Sequence, residues 1–293
     1  MLITEKSPGP PRKPVARGYE NTQSMYLEYY NLKELPFNIT PDPRFLYFTK
    51  HHQEAYDHLM FGIQSRRGFI ELTGEVGSGK TTLCRAVLAN LGEDVETALI
   101  LNPSLTENQL LRAILNDFGL SIGGRDRLAC IEKLNEFLLE KTKEGTNVAV
   151  LIDEAQDLTP EVMEQVRLLS NLETDQHKLI QIVLCGQPEL KARLNRPDLR
   201  QLRQRITVRY HIPPLTIDET LTYLRHRLWV AGSNGSPKFD NGAVREIHRY
   251  AKGGPRLINA VSDHALLAGY VERTNTIDAR CVKRAIRQLE GKL

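Results

Sequence analysis

Residues 74–81 read GEVGSGKT, and they stand between a strand-like apolar run, residues 69–73, and a helix-like run, residues 82–88. Two glycines flank four residues and are followed by Lys and Thr, which lets the backbone curl with its N–H groups pointing inward as a cradle for phosphate oxygens. A side chain at Gly74, Gly77 or Gly79 would hold those oxygens away. The helix that follows aims the positive end of its dipole at the same place. The nine residues Gly74, Glu75, Val76, Gly77, Ser78, Gly79, Lys80, Thr81 and Thr82 are therefore the candidate nucleotide-binding set. Lys80 supplies a point charge near the β- and γ-phosphates, and the Thr81 hydroxyl suits a Mg²⁺ ligand.

Some seventy residues on, the apolar run at residues 148–152 ends in Asp153-Glu154. A continuous apolar strand suits the buried centre of a parallel sheet, whose C-terminal edge carries the chemistry. Asp153 is the candidate holder of Mg²⁺ through its water shell, and Glu154 the candidate base that polarises an attacking water. Carboxylates here also suit a helix start, with Asp157 ahead of Thr159-Pro160-Glu161. Together the loop and the acidic pair predict binding and hydrolysis of ATP with Mg²⁺ as cofactor.

Alternation of strand and helix then predicts a three-layer αβα sandwich on a parallel sheet. Strands are expected at residues 97–101, 180–184 and 206–212, and helices at 106–118, 126–143 and 160–172. From residue 213 the pattern is helical only, at 218–231, 240–251, 256–272 and 278–290, which predicts a small all-helical lid domain. The expected organisation is a Pro-rich disordered tail at 1–25, an αβα domain at 26–212 and the lid at 213–293. Met25 is a candidate natural start. The aromatic segment after it, residues 26–47, is expected to pack on the ATPase core.

With 41% hydrophobic residues the chain is rich enough for ordinary cores. No run approaches the roughly 18 apolar residues of a membrane span, and the N-terminus has no apolar signal core. Cys84, Cys130, Cys185 and Cys281 show no CxxC spacing, so neither zinc nor a disulfide framework is indicated, and a cytoplasmic location fits. The net charge of +3 is uneven, since residues 213–293 hold 13 Lys/Arg against 8 Asp/Glu.

Three further sets of residues complete the expected site. Gln187 follows the strand beside the acidic one, where an amide touches the γ-phosphate or the water as a sensor. Six arginines and a single acid lie between Arg193 and Arg209. On a helix, Arg196, Arg200 and Arg203 share a face, with Arg205 just before the next strand. Such forks suit a γ-phosphate on a neighbouring subunit; Arg205 is the first candidate for that finger and Arg200 the second. Gly253-Gly254-Pro255-Arg256 opens a lid helix and is expected to set Arg256 over the nucleotide.

These segments, with the runs MYLEYYNLKELPFNITPDPRFLY, VLIDEAQDLTPEVMEQVRLLSNLET, LCGQPEL and GGPRLINAVSDHALLAGY, resemble the AAA+ ATPases of the ExeA (GspA) type associated with type II secretion. More distantly they resemble the TnsC and MuB transposition regulators. The resemblance implies Walker A at residues 74–81, Walker B at Asp153 and Glu154, sensor 1 at Gln187, fingers among Arg200, Arg203 and Arg205, and sensor 2 at Arg256. It also implies a homo-oligomer, a ring or filament, that assembles a protein partner. Secretion members continue into a membrane span and a peptidoglycan-binding domain, and neither follows Leu293, so no direct role in crossing the wall is expected. Alternatives are a DNA-binding regulator, with Arg280, Lys283, Arg284 and Arg287 on one helical face as the double-stranded DNA contact, and a nucleotide-gated scaffold with little turnover.

Overall fold

A computed structural model describes residues 22–38, 42–101, 104–121, 126–173 and 178–292. Five parallel strands form one sheet: β1 (Phe69–Gly74), β2 (Val95–Ile100), β3 (Asn147–Ile152), β4 (Gln181–Gly186) and β5 (Ile206–Ile212), in the spatial order β2-β3-β4-β1-β5. The central strands β1, β3 and β4 are buried at every position, which is why β3 and β4 are apolar after their first residue rather than alternating, while β1 also buries Glu71 and Thr73. Register pairs Thr73 with Gly186 and Ile152 with Leu184, so β1, β3 and β4 end at nearly the same level. The loop after β1, Asp153 after β3 and Gln187 after β4 therefore emerge side by side at the C-terminal edge.

Helices cover both faces. In chain order they are α1 (Thr22–Tyr30), α2 (Lys50–Gln64), α3 (Lys80–Asn90), α4 (Glu107–Asp117), α5 (Arg127–Lys143), α6 (Pro160–Leu169), α7 (Pro188–Leu194), α8 (Arg200–Arg205), α9 (Ile217–Val230), α10 (Asn241–Ala251), α11 (Pro255–Val271) and α12 (Ala279–Leu289). Strand side chains alternate between the faces. Val148, Val150 and Ile152 pack with α4, α5 and α6 through Leu111, Ile114, Leu134 and Val166. Ala149 and Leu151 pack with α2 and α3 through Leu59, Ile63, Leu83 and Val87. Helix starts follow their caps: Thr106 and Thr216 each form a reciprocal capping box, with Gln109 and Glu219.

The sandwich and the helical unit after it match the expected fold, with differences in detail. Helix α2 was not foreseen, and the helical unit also holds a two-residue parallel pairing of β6 (Lys238–Phe239) with β7 (Thr276–Ile277). Residues 1–21 of the expected tail lie outside the described residues, and α1 already begins at Thr22, ahead of Met25.

The aromatic lead-in corrects part of one expectation: most of it packs on the helical unit, while Leu46 near its end packs with the core between the sheet and helices α2 and α3. Tyr26 and Tyr30, one turn apart on α1, share a face and are buried in a core with Leu224, Ile258, Val261 and Leu266. The Tyr26 hydroxyl donates to Asp263 at 2.5 Å, and the Tyr30 hydroxyl lies 3.1 Å from the carbonyls of both Leu266 and Thr274. Buried Arg227 of α9 fastens the next stretch, donating to the Pro36 and Asn38 carbonyls and lying 4.6 Å from the centre of the Phe45 ring. A tyrosine needs a partner for its hydroxyl when buried, and the apolar strand faces offer none. Among the described residues no helix is long and apolar enough to cross a membrane.

Candidate functional site

The loop after β1 closes on itself before any ligand is considered. Lys80 is only 6% exposed, and its ammonium donates to the carbonyls of Gly74, at 2.7 Å, and Glu75, at 3.0 Å. Among the described residues no carboxylate lies within ion-pair distance of it. A buried cation satisfied by carbonyls alone marks a place for an anion. One residue on, the Thr81 hydroxyl donates to Asp153 at 2.5 Å, which joins the first turn of α3 to the end of β3. Both are hard oxygen donors, the chemistry that Mg²⁺ prefers.

Glu154 adopts a left-handed backbone with φ 50°, as do Asn31, Arg66, Lys252 and Arg273 at turns elsewhere. Its carboxylate accepts from the side-chain amides of Gln156, at 2.7 Å, and Gln187, at 3.2 Å. Gln187 caps α7 and so stands where β4 delivers it.

The helical unit closes the other side. A cleft of about 320 Å³ runs between the loop and the start of α11, and Val76–Thr82, Glu154, Tyr223, Arg227, Arg256 and Asn259 are among its walls. Gly77 has φ 76°, and a Cβ there would fall 2.3 Å from the Cβ of Arg256. The loop therefore touches the first turn of α11, and Arg256, exposed, faces the same cleft as Lys80. The asparagine is fixed by the Tyr223 hydroxyl, which donates to its side-chain oxygen at 2.8 Å.

The arginines expected to serve as fingers lie away from this cleft. Arg196 stands just before Pro197, and proline holds its predecessor extended, so it cannot share a helical face with Arg200 and Arg203; it pairs with Asp198 instead. Arg205, the first candidate, is occupied within its own chain by Ser170, by Asn171 at 2.7 Å and by the Arg167 carbonyl at 3.4 Å. Arg203 donates to Asn195 at 3.2 Å. Arg200 is exposed and makes no hydrogen bond or ion pair among the described residues. On α12, Arg280 pairs with Asp278 and Arg284 with Glu272, while Lys283 lies 4.0 Å from Glu246, which Arg249 also engages.

Two residues that sequence patterns did not single out complete the site. Gln156, in the turn after Glu154, is one. The other is His52 of α2, 4% exposed, whose Nδ1 meets the Thr49 hydroxyl at 2.8 Å and whose Nε2 meets the Ser78 carbonyl at 2.9 Å. A carbonyl can only accept, so Nε2 carries the proton toward Ser78, and in the neutral ring Nδ1 accepts from the Thr49 hydroxyl, whose oxygen also accepts the His52 backbone N–H. Burial pushes the imidazole below the ordinary histidine range, partly offset by the Ser78 carbonyl. The unfolded chain then binds a proton below about pH 6.5 that folded His52 refuses, so this contribution to stability is present above that pH and is lost as pH falls through the folded value. Denaturant unfolding from pH 8 to pH 5 should show the stability margin of the native chain over His52→Phe shrinking below about pH 6.5. A margin constant with pH would remove His52 from that account.

A phosphate-binding loop on a β2-β3-β4-β1-β5 sheet, closed by a helical unit in which Arg256 at the start of α11 faces the loop, defines a P-loop protein of the AAA+ class. Residues 63–194 match the family model for the AAA domain. Over 268 residues, 91% of this chain, the sequence is 46% identical to general secretion pathway protein A of Aeromonas hydrophila, and this places the chain with the AAA+ proteins of that type. It spans 49% of that relative's length. Solved structures agree on the fold. The Drosophila origin recognition complex bound to DNA aligns with a TM-score of 0.68 and 17% identity, over 97% of this chain and 70% of that one. The Aeropyrum pernix ORC2 protein, in ADPNP and ADP complexes, aligns with a TM-score of 0.63 and 17% identity, over 87% and 72%.

Proposed function

We propose that this chain is an ATP hydrolase that uses Mg²⁺ and works as a homo-oligomer in the cytoplasm to drive assembly of a partner complex of the secretion type. The observation that carries the reading is the meeting of Thr81, Asp153 and Glu154 beside the uncompensated Lys80. The loop N–H groups and Lys80 hold the triphosphate. Thr81 and Asp153 fit Mg²⁺, which when bound supplies charge neutralisation on the β- and γ-phosphates. Glu154 takes the proton of the attacking water, Gln187 reads the γ-phosphate and Arg256 reports it to the helical unit. Adenine nucleotides in the ORC2 structure and the secretion role printed in the name of the sequence relative support ATP and a partner complex. The DNA-regulator reading is less favoured, because Asp278, Glu246 and Glu272 stand among the α12 cations and the chain carries a net charge of only +3. Phosphate release from ATP should require Mg²⁺ and stop with EDTA; no release above the buffer background at any protein concentration would refute the reading.

For the oligomer, the free guanidinium of Arg200 makes it the better finger than Arg205. Arg200→Ala and Lys80→Ala should each be inactive alone and regain turnover when mixed, because one contributes an intact site and the other an intact finger. An inactive mixture, with both variants folded, argues against a finger acting across subunits.

A further inference from the structure

We infer that Gln156 is the positioning residue for Glu154, strapping its carboxylate to helix α7; this rests on the reading of Glu154 as general base. Gln156 occupies the short turn that follows Glu154, and its side-chain amide works at both ends. The NH₂ group donates to Glu154 Oε2 at 2.7 Å and to Asp157 Oδ2 at 3.3 Å. The oxygen accepts the backbone N–H of Gln187, the residue that caps α7, at 3.0 Å. From the far end of α7, Arg193 donates to the Gln156 carbonyl at 2.6 Å. Helix α7 thus grips Gln156 with its N-terminal cap and its penultimate residue, and Gln156 grips the base. Space for the amide is reserved: a Cβ at Gly186 would fall 2.7 Å from Gln156 Oε1.

The arrangement separates two duties on one carboxylate. Gln187 also donates to Glu154 Oε2, but more distantly, and its proposed task is to turn toward a γ-phosphate. Gln156 has no such second task, so it keeps Glu154 aimed when Gln187 leaves. With Gln187 turned away, the shorter bond from Gln156 is the side-chain hydrogen bond that stays on Glu154 Oε2. Because α7 leads through Asn195–Leu199 into α8, which carries Arg200, Arg203 and Arg205, a contact made by those arginines reaches the base through the same strap.

The test compares wild type, Gln156→Met, Gly186→Ala, Glu154→Gln and the Glu154→Gln/Gln156→Met double variant, each by single-turnover hydrolysis and by binding of a fluorescent ATP analogue. Methionine keeps the length of glutamine and loses its hydrogen bonds. Gln156→Met should lower the hydrolysis rate roughly 10- to 100-fold, the scale of a misplaced catalytic group, with nucleotide affinity within about twofold of wild type. Gly186→Ala, whose Cβ would press on both the Gln156 amide oxygen and Leu190 of α7, should lower the rate as well, and it supports the strap only if its melting temperature stays near that of the native chain. The double variant should hydrolyse no more slowly than Glu154→Gln, because Gln156 acts only through Glu154. A Gln156→Met rate within about twofold of wild type, an additive double variant, or a loss of affinity parallel to the loss of rate would each overturn the inference while leaving Glu154 in place. Wild-type turnover by Glu154→Gln would instead remove the base itself, and the strap with it.

Discussion

Lys80→Ala should bind ATP at least about 100-fold more weakly than the native chain while folding as well or better. The ammonium is 6% exposed and rests on two loop carbonyls, with no counter-charge within ion-pair distance among the described residues. Desolvating a cation that has no anionic partner costs free energy, and truncation relieves that cost in the empty protein. Losing a charge-assisted contact to the phosphates removes about 3 kcal/mol, which is about 100-fold in Kd. The two effects have opposite signs and are read in one experiment. Ligand at 100 times Kd raises the stability of a protein by about 2.7 kcal/mol. Thermal unfolding with and without ATP should show that gain for the native chain and almost none for Lys80→Ala, with unliganded midpoints equal or higher in the variant. An unliganded midpoint several degrees lower would mean that Lys80 serves the fold and not the ligand.

The legible part of this molecule was whatever a single stretch of chain carries. Residues 148–152 announce a central strand because both faces of β3 are buried, and the β1–loop–α3 unit contains its own phosphate cradle. Register then brings Asp153 and Gln187 to the loop with no further instruction. The lead-in was harder to read. Its aromatic density says that residues 26–47 are buried, yet only the distant Asp263 and Arg227 decide against what, and no local pattern encodes a partner more than 180 residues away. His52 gave no signal either, since a histidine on an amphipathic helix looks the same whether or not it holds a loop carbonyl. Pro197 is different, because the sequence did contain the warning: a proline after Arg196 breaks the face assumed for the arginines. Gln156 lay in plain view two residues beyond Glu154. Its meaning depends on the N-terminus of α7 arriving beside it, which is a property of strand order.

Glu154→Gln should bind ATP as tightly as the native chain and hydrolyse it about 10²- to 10⁴-fold more slowly, the usual contribution of a positioned base. The substitution is nearly silent in shape. The left-handed turn at φ 50° is kept, and the amide oxygen of a glutamine still accepts from the Gln156 side chain as Glu154 Oε2 does now. What disappears is the second oxygen's capacity to take a proton from water, since an amide is not a base at neutral pH. Neither Lys80 nor Thr81 contacts Glu154, so the phosphate grip and the Thr81–Asp153 pair are untouched. Binding of a fluorescent ATP analogue and single-turnover phosphate release, measured on the same preparation, separate the two properties. Turnover near the native rate would move the proton acceptor elsewhere. The neighbouring carboxylate, Asp153, is 4% exposed and committed to the Thr81 hydroxyl and the Glu154 backbone N–H, which leaves exposed Asp157, bonded to the same Gln156 amide, as the next candidate. Loss of binding together with turnover would make Glu154 a wall of the cleft, which its position among the lining residues also permits. The outcome expected here, an ATP-loaded chain that cannot reset, would hold the helical unit in one state for as long as nucleotide is present.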